Sequence, residues 1–284
     1  IEAHRFNISV QSEVGTFAVT ADSTPLHEAK HRAILDAMGL GRREELLRGL
    51  EGGLQRLASP LVPVEIATPP ILWNELERCD ALRETLRRAG GEGTGQSPLY
   101  GFGLHLNPAV AALDAAHILA HLRAFLLLEP WLRRQCEVDR TRSFLPFIDH
   151  FPGAYRAQVL DPTYRPDLQD LMADYCRANP TRNRPLDLQT LFAHLDEDYV
   201  RDHTDRPDLL SPRPTWHYRL PDCALDDPDW RVVGEWNRWV LVEHLATDPE
   251  RLQELLRDPA LVSGHGGLRG WSERLQHWLT DLRG

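Results

Sequence analysis

Four stretches of this sequence set polar side chains opposite an apolar stripe, and the types of those side chains could together do chemistry. They carry Asp22; Glu65; His105 with Asn107; and His217 with Arg219. Carboxylate and imidazole groups suit a divalent metal, and carboxylates in particular suit magnesium or manganese. Arginine adds bidentate capture of phosphate or carboxylate. Gathered in one cleft, these groups would meet the needs of metal-assisted phosphoryl transfer: cations to neutralise phosphate oxygens and a rigid frame to hold the acceptor in line. Each residue also has a plainer reading. Glu65 fits a solvated edge-strand carboxylate, His105 a hydrogen-bonded structural histidine, and Asn107 before Pro108 the start of a turn. Asp22 fits a turn residue, and Arg219 a surface ion pair with Asp222 or Asp226.

The elements that must position these groups are mostly strands. The stretch 98–108, P-L-Y-G-F-G-L-H-L-N-P, alternates, with Tyr100, Phe102, Leu104 and Leu106 on one face and Gly101, Gly103, His105 and Asn107 on the other. Two glycines beside a histidine and an asparagine leave a floor without bulk, as a ligand approach requires. The stretch 215–221 repeats the logic: Trp216, Tyr218 and Leu220 oppose His217 and Arg219. Strands over 4–10 and 16–22 form a hairpin, and Leu61 to Thr68 forms another strand, with Val64 and Ile66 on its packing face and Glu65 opposite. Helices are expected from Thr24-Pro25 to Gly39, through Leu46 to Leu57, and from Leu72 to Leu86. Further helices begin at Asp114, run from Leu168 to Asn179, and pass through Leu188 to Leu195. The Gly-rich link 90–96 lacks a phosphate-loop pattern and reads as a flexible connection. Arg133, Arg134, Arg140 and Arg142 form the most basic patch, with a solvated helix end as its plainer reading. The fold class expected is α+β: one curved antiparallel sheet with helices on its convex side and a helical tail over 225–284, all within a single domain over 1–284.

Composition narrows the function. A net charge of −10 argues against a general binder of nucleic acid or of anionic membrane. The four scattered cysteines make no C-x-x-C pair, so neither a disulfide framework nor a zinc knuckle is indicated, and a reducing, cytoplasmic setting is the default. The most apolar run, 118–132, is interrupted by His121, Arg123 and Glu129 and is too charged to span a bilayer.

The ordered set D-S-T (22–24), V-E-I-A-T-P (64–69), G-F-G-L-H-L-N (101–107), R-N-R-P-L-D-L (182–188) and W-H-Y-R-L-P (216–221) resembles the amidoligase family of the glutamine-synthetase-like carboxylate–amine ligase superfamily. That resemblance implies a sheet whose concave side holds ATP and magnesium, with manganese as the alternative ion. It also implies a reaction in which a carboxylate is phosphorylated and an amine attacks the acyl phosphate to form an amide or isopeptide bond. By the same resemblance Glu65, His105 and Asp22 would bind metal. His105, Asn107, Arg182, Arg184 and Arg219 would hold nucleotide phosphates or a substrate carboxylate, and Arg219, Glu65 and His217 would act in catalysis. The partners implied are small-molecule or peptide carboxylates and amines, with a separate glutaminase as a source of ammonia left open. Three departures stand out. No Gly-x-Glu-x-Glu strand opens the chain, so a strand upstream of Ile1 is expected. His105-Leu106-Asn107 stands where the family has His-x-His, and His217-Tyr218-Arg219 where it has Glu-x-Arg. They motivate a second reading, a catalytically degenerate binding or scaffold protein with the same fold. A metal-dependent hydrolase with His217 as base is a third.

Overall fold

The computed structural model describes residues 2–4, 7–21, 64–94, 103–136 and 148–262. The expected positions Asp22, 24–57, 98–102, Arg140, Arg142 and 263–284 lie outside them. The chain divides into two compact units, Ile1–Leu82 and Arg83–Gly284. Together they mix helix and strand, as the α+β expectation requires.

The first unit holds a four-stranded antiparallel sheet in sequence order. Its strands are β1 (Glu2–His4), β2 (Asn7–Ser12), β3 (Gly15–Ala21) and β4 (Val64–Ala67). The expected hairpin joins β2 to β3 through Glu13 and Val14 alone, with Ser12 opposite Gly15. Gly15 has φ +125°, where side chains are strained, and an added Cβ would stand 2.8 Å from Pro69 Cβ. On β4 the expected packing face is only half kept. Ile66 is half-buried, whereas Val64 is exposed.

The second unit is built on helices. They are α1 (Glu77–Arg88, running in from the first unit), α2 (Ala115–Gln135), α3 (Gly153–Leu160), α4 (Leu168–Ala178), α5 (Gln189–Leu195), α6 (Glu197–Asp202), α7 (Val232–Ala246), α8 (Pro249–Leu256) and α9 (Pro259–Val262). Asp114 caps α2 by accepting the His117 backbone N–H at 2.8 Å. The sequence predicts an amphipathic stripe for this helix. Instead, every residue from His121 to Glu129 is buried, because α3, α4, α7 and α8 all pack against it. Its polar members are matched one by one. Arg123 donates to the carbonyls of Val159, Asp161 and Tyr164, and His121 Nε2 lies 2.8 Å from Glu243. Glu129 accepts from Arg133 Nε at 2.9 Å, so this arginine of the basic patch is not a solvated helix end. Pro130 lies inside α2 without ending it. No helix among the described residues is long and apolar enough to cross a membrane.

Within this unit three extended segments lie side by side. Leu106 bridges Tyr218, Ala109 bridges Thr215, and Leu186 also bridges Tyr218, all antiparallel. The central segment 214–221 therefore has 104–110 on one side and 185–187 on the other. Prolines at 108, 185, 214 and 221 remove backbone donors, which explains why the segments meet at isolated bridges and not as the ladder strands that the alternation predicts. Of the one sheet expected to carry all four polar faces, the described residues show two parts, and Asp22 lies outside them. Glu65 lies on β4 of the first unit's sheet, while His105, His217 and Arg219 lie on this layer of the second.

The link after α1 is also not a flexible connection in its described part. Gly93 and Thr94 are buried, Gly93 N–H donates to Asp226 Oδ1 at 3.2 Å, and Thr94 N–H donates to the Cys223 carbonyl at 2.9 Å.

Candidate active site

The central segment sorts its side chains as the alternation predicts. Trp216, Tyr218 and Leu220 are fully buried, with Trp216 stacked on His121 and both Trp216 and Tyr218 against Trp239 of α7. His217 and Arg219 point to the other side, where the segment 182–187 supplies their partners. His217 is buried nonetheless, and its Nδ1 lies 3.1 Å from Asp187 Oδ2. The same oxygen accepts Arg182 Nε at 3.1 Å. Arg182 Nη1 donates to the Leu209 carbonyl, and Arg219 Nη1 donates to the Arg182 carbonyl. His105, exposed on the neighbouring segment, sets its ring edge-on to His217 with centroids 5.1 Å apart. Three of the expected residues, Arg182, His217 and Arg219, thus come together around one carboxylate, and a fourth, His105, lies against His217.

That carboxylate, Asp187, is the residue sequence reasoning missed. A signal was present: within P-L-D-L, Leu186 and Leu188 alternate with it and are fully buried on the other face. Burial alone would raise the Asp187 carboxyl. The His217 hydrogen bond and the charges of His217, Arg182 and Arg219 outweigh it and hold it at about 2. Burial pushes the His217 imidazole down to about 4 against the pull of Asp187, with Arg219 and Arg182 adding to the depression, so it is neutral near pH 7.

The remaining expected residues that are described have other surroundings. Arg184 is buried and donates from Nε to Asn179 Oδ1 at 2.8 Å, at the C-terminal end of α4. Asn107 is exposed and accepts Arg213 Nη2 at 2.9 Å. Glu65 is exposed on β4, opposite Thr20.

The donor set decides which group the cluster fits. Its single carboxylate is fully buried and both oxygens are engaged, Oδ1 by the Gln189 N–H at 2.9 Å. No group of three or more His, Cys, Asp or Glu that could hold a metal ion exists among the described residues. The cluster therefore does not fit magnesium or manganese. Two guanidiniums beside a neutral imidazole fit an anion, a phosphate or a carboxylate.

A mixed α and β chain with a buried arginine–aspartate–histidine cluster suited to an anionic ligand is the class that fold and site define. The family model described as "Putative amidoligase enzyme" matches residues 2–241, well over half of the 284 residues, and the chain belongs to the amidoligase family. Membership points to a ligase type of function. No curated protein and no solved structure matches the chain.

Proposed function

We propose that this protein is an ATP-dependent carbon–nitrogen ligase that joins a small-molecule or peptide carboxylate to an amine, on a glutamine-synthetase-like fold. The observation that carries the reading is the convergence of Arg182, Arg219 and His217 around Asp187, with His105 against His217, in a chain that matches the amidoligase model over residues 2–241. ATP would supply the phosphoryl group that turns a carboxylate oxygen into a good leaving group. Arg219 and Arg182 bind and orient the anionic groups and offset charge that grows on their oxygens. The buried, neutral His217 keeps water and a competing positive charge out of the floor of the site. Glu65 is the metal-facing carboxylate that the resemblance assigns, and no step is derived through a metal ion.

The test uses the full chain with ATP, magnesium and panels of carboxylates and amines, reading ADP release and amide product by mass spectrometry. ADP release that requires both a carboxylate and an amine is expected. Arg219→Ala should lower it by about 100-fold or more, and Glu65→Gln should abolish it with the fold intact. Wild-type rates in both variants would refute the assignment of these residues. Failure to bind ATP, together with no ADP release for any pair, would remove the ligase reading. It would favour the degenerate binding protein instead, for which the specific observation is His217 in place of the family's acidic ligand.

A further inference from the structure

Asp187 is fully buried and bonded through both its backbone and its side chain. Its backbone N–H donates to the His217 carbonyl at 3.0 Å, and Arg219 N–H donates to the Pro185 carbonyl at 2.9 Å. Behind it the buried Tyr175 hydroxyl accepts the Leu188 N–H at 3.0 Å and reaches the Leu186 carbonyl. A carboxylate on so fixed a backbone can orient other side chains. Oδ2 faces two of them at once, Arg182 Nε and His217 Nδ1. An ionised carboxylate only accepts, so the Nδ1 that faces it carries the proton. In a neutral ring Nε2 is then a lone pair, and it makes no hydrogen bond among the described residues. Arg182 Nη2 likewise makes none among them, Nε and Nη1 being committed to Asp187 and Leu209.

We propose that Asp187 is the positioning residue of this site: it holds His217 in the Nδ1–H tautomer and Arg182 by its Nε edge, leaving His217 Nε2 as the acceptor and Arg182 Nη2 as a donor for the ligand. Neither the family match nor the resemblance assigns it a role. An asparagine at 187 would set an amide donor against Arg182 or against the Gln189 N–H, and where it meets His217 it favours the opposite tautomer.

The experiment is nitrogen NMR of the histidine side chains in the full chain at pH 7.5, with His217→Gln identifying the His217 signals. A neutral ring with Nδ1 protonated is expected in the wild type, and a shift of the main form to Nε2–H in Asp187→Asn. A wild-type ring that is Nε2–H or charged overturns the proposal, and so does a pattern unchanged both in Asp187→Asn and in Asp187→Ala, which removes the acceptor altogether. Should those variants fail to fold, the wild-type signals decide alone. The effect on turnover rests on the ligase reading. There Asp187→Asn lowers kcat at least about tenfold with KM changed less, and Asp187→Glu restores part of it. A flipped tautomer with wild-type kcat overturns the positioning role in turnover. Because the tautomer is read without substrate, an inactive wild type counts against the ligase reading and leaves the orientation to be judged by the NMR.

Discussion

At the scale of single residues, the cluster around Asp187 makes stability depend on pH in a definite direction. His217 has its folded pKa depressed to about 4, below its ordinary value of about 6.5. Between those values the unfolded chain binds the proton and the folded chain does not. The contribution is therefore complete above pH ~6.5 and is lost as pH falls toward 4, with a slope of at most about 1.4 kcal/mol per pH unit. Burial lowers His117 too, so it adds to the same slope, and the comparison of wild type with His217→Gln isolates the His217 share. Urea unfolding between pH 4.5 and 7 should show a shallower decline in the variant. Equal slopes would mean that the imidazole is not held neutral. The residues of this cluster were unevenly legible in the sequence. Alternation in W-H-Y-R-L placed His217 and Arg219 correctly, because the period of a strand is local information. Asp187 faces a partner thirty positions away, and nothing local in R-N-R-P-L-D-L says which segment lies alongside.

At the scale of elements, local signals placed several helix ends. Asp114 caps α2, Asn179 and Pro180 follow the end of α4, and Asp248 caps α8 by accepting the Arg251 N–H. Two short helices, α3 and α6, went unpredicted, since eight and six residues give little periodicity to read. The Gly-rich link failed for another reason. Glycine permits flexibility and close approach alike, and only the neighbours decide between them. At Gly93 an added Cβ would stand 2.5 Å from the Cys223 carbonyl and 2.7 Å from Leu225 N, both backbone atoms that cannot swing aside. Gly93→Ala should thus cost about 1–3 kcal/mol. Gly153, at the start of α3, has nothing within 4 Å of the same position, and Gly153→Ala should stay within about 0.5 kcal/mol of wild type. Urea midpoints for the pair test the assignment, which a neutral Gly93→Ala would sink.

At the scale of the whole molecule, a chain with net charge −10 does not attract anions from solution, so under the proposed function capture would fall to the guanidiniums gathered at Asp187. Their placement is tied to the core by the central segment, whose two faces cannot move separately. On the buried face Trp239 of α7 packs with its ring 5.9 Å from Trp216 and 5.4 Å from Tyr218. Its Nε1 donates to Glu243 Oε1 at 2.8 Å, and the other oxygen of Glu243 lies 2.8 Å from His121 on α2. One tryptophan therefore joins α7, α2 and the segment that carries His217 and Arg219. Truncating it should cost about 3–5 kcal/mol, a large part of the roughly 5–15 kcal/mol that holds a folded protein together. Trp73 of the first unit is 75% exposed, and the same truncation there should cost little. Trp239→Ala is expected to lower the urea midpoint by circular dichroism and to weaken binding of inorganic phosphate as the segment loosens. Trp73→Ala should leave both near wild type. A Trp239→Ala protein that binds phosphate as the wild type does would show that the proposed anion site does not depend on the core beneath it.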